Sequence, residues 1–100
     1  MLIEVYTDAS SVAWGGWFDT PEGRRVHCSG EFRGADKERP IHQKEAIAVV
    51  KTLQQGKDFL QNKFIDLYVD NEAVRFTLQK GSNKDKFLTK IAKQIGRAHV

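Results

Sequence analysis

The chain opens on an alternation. From Leu2 to Asp8, the residues Ile3, Val5 and Thr7 fall on one side and Leu2, Glu4 and Tyr6 on the other, the period of two that marks a half-buried strand. Asp8 closes this run and Ala9-Ser10-Ser11 reads as a short turn. A second strand is expected over Ala13 to Asp19. Gly15-Gly16 lies inside it, between Trp14 and Trp17, and glycines within a strand mark a bulge or a close backbone approach. Thr20-Pro21-Glu22-Gly23 carries turn chemistry, from which Arg24 to Phe32 returns as a third strand. Three strands joined by short turns make an antiparallel meander.

The period then changes. After a polar loop from Arg33 to Pro40, a helix is expected from about His42 to Gln55: Ala46, Val49, Val50 and Leu53 share one face, and Gly56 supplies the stop. Phe64-Ile65-Asp66-Leu67-Tyr68-Val69 is a nearly continuous apolar run of strand length, the pattern of a strand covered on both faces and paired in parallel. Asn71 can cap a short helix to about Gln79, and a last helix from Ser82 or Asn83 would bury Phe87, Leu88, Ile91 and Ala92. The order β-β-β-α-β-α-α, with a right-handed crossover between parallel strands, predicts an α/β fold: a mixed sheet in the order 3-2-1-4 with flanking helices.

Composition narrows the class without changing this picture. One hundred residues, 40% of them hydrophobic and 29% charged, fit one soluble domain and exclude disorder. No apolar run approaches the roughly 20 residues of a membrane span. The start, Met1 to Asp8, lacks a signal-peptide pattern, so an intracellular location is expected. Cys28 is the single cysteine; it excludes an internal disulfide and reads as a small buried hydrophobe. The net charge of +3 is unevenly spread, with 6 basic and 8 acidic groups in residues 1–50 against 10 and 5 in residues 51–100. A cationic second half suits a polyanionic partner and equally an ordinary solvated face.

The candidate chemistry lies in three acids. Asp8 and Asp70 end the first and fourth strands, and if these strands are parallel neighbours their backbones lie about 4.8 Å apart. That is the switch point outside the carboxyl ends of strands where open α/β sheets bind ligands. Glu45, in the first turn of the intervening helix at the border of its apolar stripe, is placed to reach the same spot. Three carboxylates repel one another unless a cation neutralises them, and an all-oxygen donor set suits Mg²⁺ or Mn²⁺. Zinc is a poor fit, because His27, Cys28, His42 and His99 show no zinc-ligand spacing. Two such ions would activate water and stabilise the leaving oxygen in phosphodiester cleavage. Against this stands the simpler role of an aspartate after a strand, as a turn or cap residue.

Taken together, Tyr6-Thr7-Asp8-Ala9-Ser10, Trp14-Gly15-Gly16-Trp17, His42-Gln43-Lys44-Glu45-Ala46 and Leu67-Tyr68-Val69-Asp70-Asn71-Glu72-Ala73-Val74 resemble the ribonuclease H-like superfamily. Within it, the sequence is most similar to the ribonuclease H domains of retroelement and pararetrovirus-type reverse transcriptases. The resemblance runs from residue 2 to about 94. It implies Asp8, Glu45 and Asp70 as metal-binding catalytic acids, two Mg²⁺ (or Mn²⁺) ions, hydrolysis of the RNA strand of RNA/DNA hybrids, and a polymerase domain in the same parent chain. It also directs attention to Ser10, His42, Gln43 and Asn71 as contacts to nucleic acid, and to Lys84, Lys86 and Lys90 as phosphate contacts, beside which turn, capping and solvated-surface roles stand. Trp14, Trp17 and Phe18 read as core or sheet-face residues.

One departure matters. Members carry a fourth acid beyond a fifth strand, and no counterpart occurs here: Asp85 is the only acid after Glu72 and opens a surface helix. Either the domain is truncated, spanning residues 1–94 with its fifth strand missing or incomplete, or its activity is impaired by the absence of the fourth carboxylate. Ile95-Gly96-Arg97-Ala98-His99-Val100 matches one reading frame of a common sequencing adapter and is expected to be non-native read-through; the competing reading makes Ala98-His99-Val100 the start of the fifth strand. Two other functions share this architecture, a non-catalytic module that binds nucleic acid or packs on a polymerase, and a resolvase- or integrase-type nuclease.

Overall fold

The structure is a computed structural model that describes residues 2–69, 71 and 74. Strands β1 (Leu2–Ala9), β2 (Ala13–Asp19) and β3 (Arg25–Glu31) form the meander, and β4 (Phe64–Val69) completes a four-stranded sheet in the order β3-β2-β1-β4. β1 pairs antiparallel with β2 and parallel with β4, in register from Leu2↔Phe64 to Thr7↔Val69. The expected helix is α1 (Ile41–Gln55). Among the described residues, then, the elements follow the order read from the periodicities.

The register sorts the side chains cleanly. Ile3, Val5 and Thr7 of β1 align with Ile65, Leu67 and Val69 of β4; Thr7 and Val5 align with Gly16 and Phe18 of β2. This is the face buried beneath α1: Ile3, Val5, Phe18, Leu67 and Val69 belong to the apolar core with Ala46, Ala48 and Val49, and Ile65 packs against it. The other face carries Glu4, Tyr6 and Asp8, Trp17 and Asp19, Asp66 and Tyr68. Of the two roles open to Gly15-Gly16, close approach is the one found for Gly16. The β1–β2 register runs without a break from Val5↔Phe18 to Ala9↔Trp14, and a Cβ on Gly16 would collide with the Thr52 side chain of α1. In the β2–β3 turn, Gly23 at φ +87° donates its N–H to Thr20 O at 2.9 Å, a left-handed position that glycine occupies without strain.

Three local features depart from the sequence reading. The segment read as a loop contains a 3-10 helix over Gly34–Glu38, too short to leave a periodic signature. Gly56 ends α1, but a single-turn helix α2 (Lys57–Leu60) follows at once, its Phe59 ring 6.2 Å from Phe18. The buried stripe of α1 is also rotated. Lys44, Glu45, Ala46, Ile47, Ala48, Val49 and Thr52 are buried, whereas Val50 and Leu53 are half-buried against the core, so the buried side extends toward Thr52, which lies against Gly16.

Candidate active site

β1 delivers Asp8 to its carboxyl end, where the side chain is exposed and Oδ1 accepts the N–H of Ala9 at 2.9 Å. By strand alternation Asp8 shares the open face with Tyr6, so it meets groups from α1 only around the end of the strand. Gly15 is its partner on β2 and Ser29 is the partner of Gly15 on β3. The missing side chain at Gly15 leaves a recess of ≈ 530 Å³ bordered by Tyr6, Asp8, Trp17, His27 and Ser29.

α1 delivers Glu45. The helix begins one residue earlier than expected, at Ile41, with Pro40 as its extended N-cap, so Glu45 opens the second turn instead of lying in the first. It is only 5% exposed, a burial that a carboxylate tolerates only with compensating partners. The neighbouring Lys44, also buried, donates from Nζ to the carbonyl of Ser11. That bond ties the start of α1 to the turn directly after Asp8, bringing the elements that carry Asp8 and Glu45 to the same end of the sheet. The third acid, Asp70, lies outside the described residues. The parallel pairing reaches Thr7↔Val69, the residues that immediately precede Asp8 and Asp70 in the chain. Among the described residues no group of three or more His, Cys, Asp or Glu is gathered closely enough to hold a metal ion.

The candidate nucleic-acid contacts divide. The Ser10 hydroxyl accepts the N–H groups of Val12 and Ala13 and donates to Ala13 O, a local turn bond of the kind serine makes in such positions. Asn71 Oδ1 accepts the N–H of Val74 at 3.0 Å, the reach of a helix N-cap. His42 and Gln43 are half-buried in the first turn of α1. Gln43 Oε1 accepts from Arg39 Nη1 at 3.1 Å, and Arg39 Nε donates to Asp36 Oδ1 at 2.9 Å. Lys84, Lys86 and Lys90 lie outside the described residues, as do residues 95–100 and, Asn71 and Val74 apart, the segments expected to form the two later helices.

Sequence reasoning missed the Lys44–Ser11 bond and the Asp36–Arg39–Gln43 chain, since neither has a periodic signal. It also missed a row of stacked rings on the open face. Tyr6 stacks on Trp17 at 4.3 Å between centroids and on Tyr68 at 4.7 Å. The signal was present in principle, because Trp17 and Tyr68 both align with Tyr6, but only once the register is known.

The sequence profile described as the RNase H-like domain found in reverse transcriptase matches residues 2–96. No curated protein matches the chain. Among solved structures, RNase H1 from the halophilic archaeon Halobacterium salinarum NRC-1 superposes with a TM-score of 0.72 at 22% identity, over 94% of this chain and 74% of that one. A foamy viral protease-reverse transcriptase, solved in complex with double-stranded DNA, superposes with a TM-score of 0.71 at 15% identity, over 98% of this chain and 20% of that one. At these identities the two structures establish a shared fold.

Proposed function

Because this chain belongs to the family of RNase H-like domains found in reverse transcriptases, we propose that it is a metal-dependent endonuclease unit that hydrolyses the RNA strand of RNA/DNA hybrids. The observation that carries the reading is the parallel β1–β4 pairing that runs up to the residues before Asp8 and Asp70, at the point where the strand order reverses and open α/β sheets place their ligands. The Lys44–Ser11 bond supports it by anchoring the Glu45-bearing helix at the same edge.

Asp8, Glu45 and Asp70 are the residues that would hold the ions, and their donor set fits: carboxylate oxygens alone favour hard divalent cations, Mg²⁺ or Mn²⁺. When bound, a pair of such ions lowers the pKa of an attacking water and stabilises the departing oxygen. The protein's own contribution is positional. Ser10 and Asn71 tie the backbone that follows Asp8 and Asp70 through their side-chain bonds. His42 and Gln43, at the start of α1, face the nucleic acid, and the Arg39 bond fixes the plane of the Gln43 amide. Lys84, Lys86 and Lys90 contribute salt-dependent phosphate contacts. Preference for RNA rests on groove shape and 2′-hydroxyl contacts. The accompanying partner is a polymerase region of the same parent polypeptide, in an intracellular setting; no described helix is long and apolar enough to cross a membrane.

The test is cleavage of a labelled RNA/DNA hybrid in Mg²⁺. Cleavage of the RNA strand is expected, falling by about a thousandfold in Asp8→Asn, Glu45→Gln and Asp70→Asn with circular dichroism unchanged. A full-length parent that binds Mg²⁺ and leaves the hybrid intact would show a non-catalytic nucleic-acid-binding or polymerase-packing module instead. Preferential cleavage of a four-way junction or of duplex DNA would point to the resolvase- or integrase-type activity.

A further inference from the structure

Lys44 is a buried cation that the hydrolytic chemistry does not use. It is only 5% exposed, too enclosed to meet the phosphates of a bound strand. A lysine is seldom buried unless a carboxylate answers it, and the ion pairs found among the described residues, Asp19–Arg25 and Asp36–Arg39, lie elsewhere. The Lys44 ammonium instead donates to the backbone carbonyl of Ser11, 33 residues earlier in the chain. It also lies 5.5 Å from the centroid of the Phe32 ring, within reach of a cation–π attraction. One carbonyl and one ring compensate a buried charge poorly, and an apolar side chain of the same length would fill the position at less cost.

What the ammonium achieves is a connection. Asp8 Oδ1 accepts the N–H of Ala9 at 2.9 Å, so the carboxylate is oriented by the first peptide of the turn. The Ser10 hydroxyl accepts the N–H groups of Val12 and Ala13, and Phe32 N–H donates to Val12 O at 2.9 Å. Two successive carbonyls of the turn, Ser11 and Val12, are thus drawn onto donors from α1 and from the residue after β3. A short path runs from the Asp8 carboxylate through Ala9, Ser10 and Ser11 to Lys44, and from there to Glu45, the next residue of α1.

We propose that Lys44 is a positioning residue for the metal site: its bond to the Ser11 carbonyl holds the turn after Asp8 against the start of α1 and so fixes the spacing of Asp8 and Glu45. The inference rests on the reading of Asp8, Glu45 and Asp70 as ion ligands. The choice of acceptor suits that role. A lysine bridging to Asp8 or Glu45 would compete with a divalent cation for carboxylate oxygens, whereas one bound to a carbonyl sets the geometry and takes none of them. Lys44 therefore acts through the turn, much as residues behind metal ligands orient them. Ser11 is exposed, so its carbonyl turns to water when the bond is removed, and the loss is one of order in the turn more than of global stability.

The test is a Mg²⁺ titration of the whole 100-residue chain, followed through the amide signals of Asp8 to Ala13 and of Glu45. Denaturant melts and amide exchange of the metal-free protein are run beside it. Lys44→Met keeps the apolar stem and removes the charge. Its Mg²⁺ dissociation constant is expected to rise about tenfold, the usual scale for a residue that orients metal ligands. The Val12 and Ala13 amides should exchange faster, while the unfolding midpoint stays where it is in the natural chain. Lys44→Arg, which keeps a donor for the carbonyl, should recover most of the affinity. Unchanged affinity in Lys44→Met, a lowered unfolding midpoint (the mark of a purely structural tie), or no recovery in Lys44→Arg would each overturn the proposal. A natural chain that binds no Mg²⁺ would instead remove the metal-site reading, and this inference with it.

Discussion

Tyr68 shows how much a single side chain gains from its register. Its hydrogen bond to Glu4, and then that to Asp66, hold the phenol neutral and push its pKa well above the ordinary tyrosine value. The contribution to stability is therefore full below the unfolded pKa of about 10 and is lost as pH rises through the higher folded value. Denaturant unfolding of the natural chain and Tyr68→Phe should thus show a stability difference that is constant at neutral pH and narrows above about pH 10; a difference independent of pH up to phenolate formation would refute the bonding. Cys28 conforms to its sequence reading, buried and with its thiol pKa raised by desolvation. Ser10 and Asn71 were legible as turn and cap residues from type and position alone, and both bonds are found. Arg39 and Lys44 were not, because a long cationic side chain picks its acceptor only after the loops have settled.

At the scale of elements, the contact between α1 and β2 decides how the helix lies. Gly16 meets Thr52, whose hydroxyl is buried without a hydrogen-bond partner among the described residues. Gly16→Ala should destabilise the fold by about 2–3 kcal/mol, since the added methyl overlaps the buried Thr52 side chain. Adding Thr52→Ala should restore part of that loss in the same denaturant melts; strictly additive effects would show that the two residues do not touch in solution. This contact explains why the stripe Ala46, Val49, Val50 and Leu53 gave the right helix but a rotated face. Hydrophobic periodicity locates the apolar side to within a residue or so, whereas the final rotation follows from which side chain is small enough to approach the sheet. The 3-10 helix and α2 escaped for another reason: one turn contains too few residues to display a period.

For the whole molecule, the proposed clustering of Asp8, Glu45 and Asp70 has a consequence that does not depend on catalysis. Like charges held together destabilise the fold until a cation binds, so Mg²⁺ at ten times its dissociation constant should raise stability by about 1.4 kcal/mol, a rise of several degrees in Tm. Asp8→Asn should begin with an equal or higher Tm and respond to Mg²⁺ much less. Equal shifts for both proteins in a thermal melt would separate the acids and remove the basis for a metal site. The order of elements, the meander, the crossover and the positions of Asp8 and Glu45 near one end of the sheet were all present in the sequence, since alternation, helical spacing and turn residues are local and act over a few residues. Which side chains meet was settled only in three dimensions. The ladder Tyr68–Tyr6–Trp17, the Lys44–Ser11 tie and the rotation of α1 depend on strand register and on the fit of Gly16 to Thr52, and those are fixed by packing between segments far apart in the chain, where no local period reaches.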